Sequence, residues 1–272
     1  MAWRHGLPVP GTRQLAAETP VAFSYDGVSH AVMLATPDDL EDFARGFSLT
    51  EGIIDAPGDI LDLDVRPVPR GVLLRIWLRA SARDRLAARR RHMAGPAGCG
   101  LCGIESLDEA VRSPPVVSAK ARFTAADVQA AIAAMAPAQR LGADTRATHA
   151  AGLWHSGHGL VALREDVGRH NALDKLAGAV APATAAEGII VLTSRVSVEL
   201  VQKAARIGAG VLAAVSAPTT LALQTAEQAG ITLVGIARDD GFELFTRPER
   251  VRPVRPRPAP GRAPRVEPAR TP

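Results

Sequence analysis

Apolar residues in this chain gather into short β-prone runs and longer one-faced stretches, with glycine and proline between them. Val21-Ala22-Phe23-Ser24-Tyr25 and Ser29-His30-Ala31-Val32-Met33-Leu34 flank Asp26-Gly27, a hairpin with a tight turn. Thr36-Pro37-Asp38-Asp39 supplies a cap and early acidic residues for a helix over 38–50, with Leu40, Phe43, Ala44 and Phe47 on one face and Gly52 past its end. Strands follow over 60–67 and 72–79, then an arginine-rich helix over 81–92. A short helix over 103–112 ends at Pro114-Pro115.

The second half is more regular. Thr124-Ala125-Ala126-Asp127 resembles a capping box and opens a helix to about Met135. Strands over 147–155 and 159–165 turn through Ser156-Gly157-His158, and a helix covers 170–180. Then come a buried-type strand (188–192), a helix (196–207) stopped by Gly208, a strand (211–215), a helix (219–229) stopped by Gly230, and a strand (231–236). Asp239-Asp240-Gly241 turns into a last strand, 242–246. Strand-helix-strand-helix-strand at this spacing predicts a parallel, right-handed α/β unit. Four regions result: an arm without periodicity (1–19), an α+β portion (20–116), an α/β core (117–247) and a Pro/Arg-rich tail from 248 expected to be disordered.

Composition adds little to the fold and more to the chemistry. The chain of 272 residues is 47% hydrophobic with only 4% aromatics, so Ala, Val, Leu and Ile must do the packing. Its net charge of +4 is concentrated as arginine in 83–91 and 247–270, which suits anionic partners or simply a solvated basic surface. There is no signal-peptide pattern at the N-terminus and no apolar run long enough to span a bilayer, so a cytoplasmic protein is expected.

Ligands of parallel α/β units bind where the strands end. Three segments meet that edge: Thr193–Ser197 with Arg195, Ser216–Thr220, and Ile236-Ala237-Arg238-Asp239-Asp240-Gly241. Two lead into helix N-termini, whose N–H groups and dipole favour anions, and Arg195 and Arg238 add forked donors. Ser197 and Thr219 are equally explained as helix caps. No Gly-x-Gly-x-x-Gly follows a first strand, and no Walker lysine motif occurs. Arg164-Glu165-Asp166-Val167-Gly168-Arg169-His170-Asn171 is the densest polar run, either part of a site or a salt-bridged turn.

The only two cysteines lie in Gly98-Cys99-Gly100-Leu101-Cys102-Gly103. Glycine on every side suits a mobile loop that presents thiols. Three readings stand. One pair supplies half of a structural zinc site, and no histidine has finger spacing. The deaminase His-x-Glu is absent. Dithiol exchange wants a helix start, which glycines make poorly. A sulfur carrier needs an accessible cysteine that can hold a persulfide, and this loop fits that need best.

These residues resemble the FdhD family of formate dehydrogenase accessory sulfurtransferases. The likeness runs through Leu40–Ile54, Cys99–Gly103, Thr148–Ala151, Arg164–Lys175, Arg195–Ala205 and Val215–Thr219, and covers roughly 20–247. It implies a three-layer α/β/α fold similar to cytidine deaminases without their zinc, and a homodimer. It also implies a sulfur carrier that accepts sulfur from a cysteine desulfurase on Cys99, assisted by Cys102. The sulfur passes to the molybdenum cofactor, Mo-bis(molybdopterin guanine dinucleotide), before that cofactor enters formate dehydrogenase. The cofactor loop would be Ile236–Gly241, with GDP as a mimic. No nucleic acid or membrane is expected as partner. A non-catalytic chaperone for the same cofactor is the other reading.

Overall fold

A computed structural model describes residues 1–92, 113–238 and 240–253. The cysteine loop and the expected helix over 103–112 lie outside the described residues, as do Asp239 and most of the C-terminal tail.

The N-terminal segment, expected to be featureless, folds back on itself. β1 (Ala2–Arg4) pairs antiparallel with β2 (Leu7–Val9). β3 (Thr19–Tyr25) and β4 (Val28–Ala35) form the expected hairpin. Its turn residues, Asp26 (φ 49°) and Gly27 (φ 82°), both sit in the left-handed region, as a primed turn requires. α1 (Leu40–Thr50) comes next, then β5 (Ile60–Val68), β6 (Gly71–Leu78) and α2 (Ala80–His92). The four longer strands make one sheet in the order β4-β3-β6-β5.

The start of α1 departs from expectation. Asp39 is left-handed (φ 52°) and no side chain caps the helix. The Thr36 hydroxyl instead accepts from the Val167 N–H at 3.1 Å. The expected cap therefore serves a tertiary contact with a segment 131 residues away.

The second half opens with β7 (Phe123–Thr124) and α3 (Ala125–Ala133), whose capping box between Thr124 and Asp127 is present. The short helices α4 (Met135–Ala138) and α5 (Arg140–Thr145) follow. β8 (His149–His155), β9 (Gly159–Asp166), α6 (Arg169–Ala179) and α7 (Pro182–Ala186) come next. Then β10 (Ile189–Leu192), α8 (Val198–Arg206), β11 (Val211–Ala214) and α9 (Thr220–Ala229) alternate. β12 (Thr232–Arg238) and β13 (Gly241–Thr246) close a six-stranded sheet in the order β13-β12-β11-β10-β8-β9, with β10, β11 and β12 parallel. Residues 248–252, expected within the disordered tail, are instead folded: β14 (Val251–Arg252) pairs with β7 and Arg250 donates to the Ala119 carbonyl at 3.3 Å.

Side chains alternate across the central strands. Ile189, Val191, Val211 and Ala213 pack with Val128, Ala131 and Met135 on one face. Ile190, Leu192, Leu212 and Ala214 pack on the other face with Leu173, Leu176, Leu200, Ala204, Ala222 and Ala226. Both faces are covered by helices, so this is a three-layer α/β/α arrangement, and the second core runs on without a break into Phe23, Phe43, Phe47, Leu74 and Ile76 of the first sheet. No helix among the described residues is long and apolar enough to cross a membrane.

The two halves are joined by α1 against α6. A Cβ on Gly46 would lie 1.7 Å from the Asp174 carbonyl oxygen, and one on Gly178 would lie 1.9 Å from that of Asp42. Only glycine permits so close an approach of two backbones. Charged groups buried at this junction find each other. Lys175 Nζ meets Asp166 Oδ2 at 2.7 Å, both side chains fully buried. Lys203 Nζ meets Glu51 at 2.6 Å and Asp174 at 2.9 Å, and Thr50 donates to Asp174.

Candidate functional site

β10, β11 and β12 end at one edge, and the loops leaving them are laced together. Val215 N–H donates to Leu192 O at 3.2 Å, Thr219 N–H to Val196 O at 3.0 Å and Ile236 N–H to Ser216 O at 3.3 Å. The Arg238 guanidinium reaches back to the carbonyls of Val215 and Ala237. Ser216, Ile236 and Arg238 are thus one surface, with Ala237 buried beneath it. Arg195 is exposed on the neighbouring loop, Asp240 is exposed, and Gly241 pairs with Arg238 across the turn. Asp239, Cys99 and Cys102 lie outside the described residues.

Ile236 is unusual. Its φ is +50°, a conformation that β-branched residues rarely adopt. The β12–β13 register slips between Gly235 and Arg238 at the same point, and the Ile236 side chain is 39% exposed. Packing does not account for a strained apolar residue turned to solvent at a strand end.

Of the two helices that start here, α9 is capped by the Thr219 hydroxyl, which accepts from Ala222 N–H at 3.3 Å. Ser197, the corresponding residue of α8, makes no side-chain cap. Its hydroxyl lies 3.4 Å from His170 Nε2.

The edge extends further than the three loops read from sequence. β8 runs antiparallel to β10, so its first residue, His149, stands beside Thr193, whose N–H donates to Ala150 O at 3.1 Å. His149 also faces Asp166, where β9 gives way to α6. Arg169 and His170 therefore open α6 at this edge, with Glu199 in the first turn of α8 and 3.8 Å from His170. Burial lowers the His170 pKa to about 4, helped by the charges of Arg169 and Lys203 and opposed by Glu199 and Glu51. His149 is lowered too, by burial and then Arg169. Burial works to raise the Glu199 pKa, but hydrogen bonds from Ser197 and its own backbone N–H, with His170 and Arg169, outweigh it and hold the carboxylate low. Below them Asp174 is raised to about 6 by burial, with Lys203 pulling the other way. Burial opposes the Lys203 charge, but Asp174 and Glu51 more than offset it and keep the ammonium protonated.

The neutral imidazole has a measurable consequence. The folded pKa of His170 lies below its unfolded value of 6.5. Its contribution to stability is present above pH 6.5 and is lost as pH falls toward 4. Wild type is expected to lose stability relative to His170→Asn across that window in urea titrations, and the ring to stay neutral at pH 6 by NMR. A midpoint near 6.5 would contradict this.

The polar run 164–171 divides. Arg164 pairs with Asp42 at 2.7 Å. Glu165 accepts from the N–H groups of Leu141 and Gly142 at 2.9 and 2.7 Å. Asp166 holds the turn through Thr36 N–H, Gly168 N–H and Asn171. These residues are architecture, and only Arg169 and His170 face the edge. Nothing in the sequence pattern marks Glu199, Asp174, Lys203 or Glu51 as neighbours of this edge. A lysine, an aspartate and a glutamate in otherwise apolar helical stretches were the available signal.

The fold and its edge define a class: a three-layer α/β protein with a polar, helix-tipped site where its parallel strands end. Among the described residues, no group of His, Asp and Glu is arranged to hold a metal ion. The chain belongs to the FdhD/NarQ family, which it matches over residues 16–252. It is 54% identical over 253 residues to sulfur carrier protein FdhD of Agrobacterium fabrum, covering 92% of this chain and 93% of that one. It is 49% identical over 252 residues to sulfur carrier protein FdhD of Cupriavidus necator, covering 92% and 87%. The crystal structure of a candidate formate dehydrogenase accessory protein from Desulfotalea psychrophila matches it with a TM-score of 0.72 at 27% identity, covering 92% of this chain and 96% of that one.

Proposed function

We propose that this chain is a sulfur carrier for formate dehydrogenase. It takes sulfur from a cysteine desulfurase and passes it to Mo-bis(molybdopterin guanine dinucleotide) held at the strand edge, acting in the cytoplasm as a homodimer. The Cys99 thiolate attacks the terminal sulfur of the desulfurase persulfide, the S–S bond there breaks, and the desulfurase cysteine leaves as thiolate. Cys102 thiolate then attacks Cys99 Sγ. A Cys99–Cys102 disulfide forms and the outer sulfur leaves as hydrosulfide for the metal. A dithiol reductant restores the pair before the next round.

Family membership supports the carrier role, since the relatives bear that name. The observation that carries the binding site is the lacing of the Arg195, Ser216 and Arg238 loops at two helix N-termini. Sulfur has ground to cover. Val117, downstream of the cysteine loop, donates its N–H to Ala229 O at 2.8 Å, at the far end of α9 from the edge, about 15 Å for ten residues. The covalent limit for the roughly eleven residues from Cys102 to Ser113 is ~40 Å, which bounds that distance from above.

Calorimetry with GDP tests the site. Arg238→Ala is expected to weaken GDP binding about tenfold, the loss of charge-assisted hydrogen bonds to phosphate, with an unchanged circular dichroism spectrum. Unchanged affinity in a folded variant would move the site elsewhere.

A further inference from the structure

Among the described residues, three buried side-chain atoms lack a hydrogen-bond partner: Arg169 Nε, Glu199 Oε2 and Arg247 Nε. Arg247 Nε is accounted for, because it lies 2.8 Å from Glu227 Oε1 in an ion pair. The other two belong to one cluster at the sheet edge. Arg169 is the first residue of α6 and Glu199 lies in the first turn of α8. Arg169 and Glu199 form no ion pair with each other, so they stand more than 4.0 Å apart. The guanidinium nonetheless acts on both His170 and Glu199. His170 Nε2 fills one side of the cluster, 3.4 Å from Ser197 Oγ and 3.8 Å from Glu199 Oε2.

A buried donor without an acceptor and a buried acceptor without a donor are each costly. Close together at the tips of α6 and α8, they complement a ligand whose edge carries both kinds of group. Their charges are opposite, so the ligand edge they suit is neutral. A phosphate would meet the Glu199 carboxylate and be repelled. Guanine and pterin offer the matching pattern in order around the ring: an exocyclic amino group, a ring N–H, a carbonyl oxygen and a ring nitrogen. Carboxylates accept from the amino and N–H groups, and arginine donates to the carbonyl and ring nitrogen.

We propose that Glu199 and Arg169 grip the 2-amino-4-oxopyrimidine edge shared by guanine and pterin. This rests on the reading that the molybdenum cofactor lies along the strand ends. It divides the edge in two, with the Arg195, Ser216 and Ile236–Gly241 loops facing the phosphates and the α6/α8 tips reading the ring. Ser197 and the backbone N–H of Glu199 hold the carboxylate, and its Oε2 is left for the ligand.

Calorimetry on the full chain tests it with three probes: GDP, IDP (which lacks the exocyclic amino group) and free pterin. Wild type, Glu199→Gln and Arg169→Gln are compared, with circular dichroism as the fold check. If guanine is the ring bound, wild type prefers GDP to IDP by about tenfold. Glu199→Gln then shrinks that preference by weakening GDP more than IDP, and Arg169→Gln weakens both nucleotides. If pterin is the ring bound, both variants weaken pterin and leave GDP and IDP unchanged. Unchanged affinity for GDP and pterin in both folded variants overturns the proposal, and a continued effect of Arg238→Ala on GDP would then leave the phosphate site standing. Failure of wild type to bind GDP or pterin at all overturns both readings together. The binding of GDP and pterin to wild type needs no variant, so the proposal can be overturned even if a substitution unfolds the protein.

Discussion

Cys99→Ala is expected to abolish sulfur loading. Incubated with a cysteine desulfurase and L-cysteine, wild type gains one sulfur atom by mass spectrometry and the variant gains none. Alanine has no nucleophile to open the donor persulfide, and no neighbouring group replaces it, since Cys102 is assigned the second step. Cys102→Ala should therefore still load but fail to discharge. Formate dehydrogenase made in cells carrying Cys99→Ala should be inactive, while GDP affinity and the melting curve of the variant stay as in wild type. An equal sulfur adduct on Cys99→Ala would refute the assignment. Active formate dehydrogenase with both cysteines replaced by serine would favour the chaperone reading.

Lys175→Met should produce the largest loss of stability, about 3–5 kcal/mol in urea or guanidinium titrations. Lys175 and Asp166 have no solvent-exposed side-chain surface and meet at 2.7 Å. Lys175 also donates to Thr36 O at 2.8 Å, so it ties α6 to β9 and to the end of the N-terminal hairpin. Methionine fills similar volume but leaves the Asp166 carboxylate buried without its cation. Against a total of roughly 5–15 kcal/mol for a typical domain, that is a large share. The paired replacement Lys175→Met with Asp166→Leu should recover part of the loss, because the uncompensated charge is then gone. A loss below about 1 kcal/mol for Lys175→Met would show that water relieves the carboxylate.

The local chemistry of turns and caps was readable from the chain. Asp26-Gly27, the Thr124/Asp127 box, and Gly208 and Gly230 behind their helices act within a few residues, where composition determines conformation. The strand-helix alternation from 188 onward was legible for the same reason, and with it the edge that gathers Ser216 and Ile236–Arg238. Contacts that close over long separations were not. Thr36 looks like a cap and instead holds Val167. Nothing in the helix over 196–207 marks Lys203, yet it is buried between Glu51 and Asp174. Arg164, Glu165 and Asp166 suit a site or a salt-bridged turn equally well in the sequence, and their partners, Asp42, Leu141 and Lys175, show them to be braces. Ser197 looks like a cap but serves the cluster with His170 and Glu199. In each case the residue type was visible and its partner, more than a hundred positions away in the longest cases, was not.

Transfer of labelled sulfur joins the thiol and the edge in one measurement. Protein loaded with radioactive sulfur on Cys99 is mixed with the molybdenum cofactor, with and without excess GDP, and the label remaining on protein is counted. The account predicts that label leaves on addition of the cofactor and that GDP, or the Arg238→Ala substitution, blocks its departure. Label that stays on the protein, or that departs equally with GDP present, would contradict it.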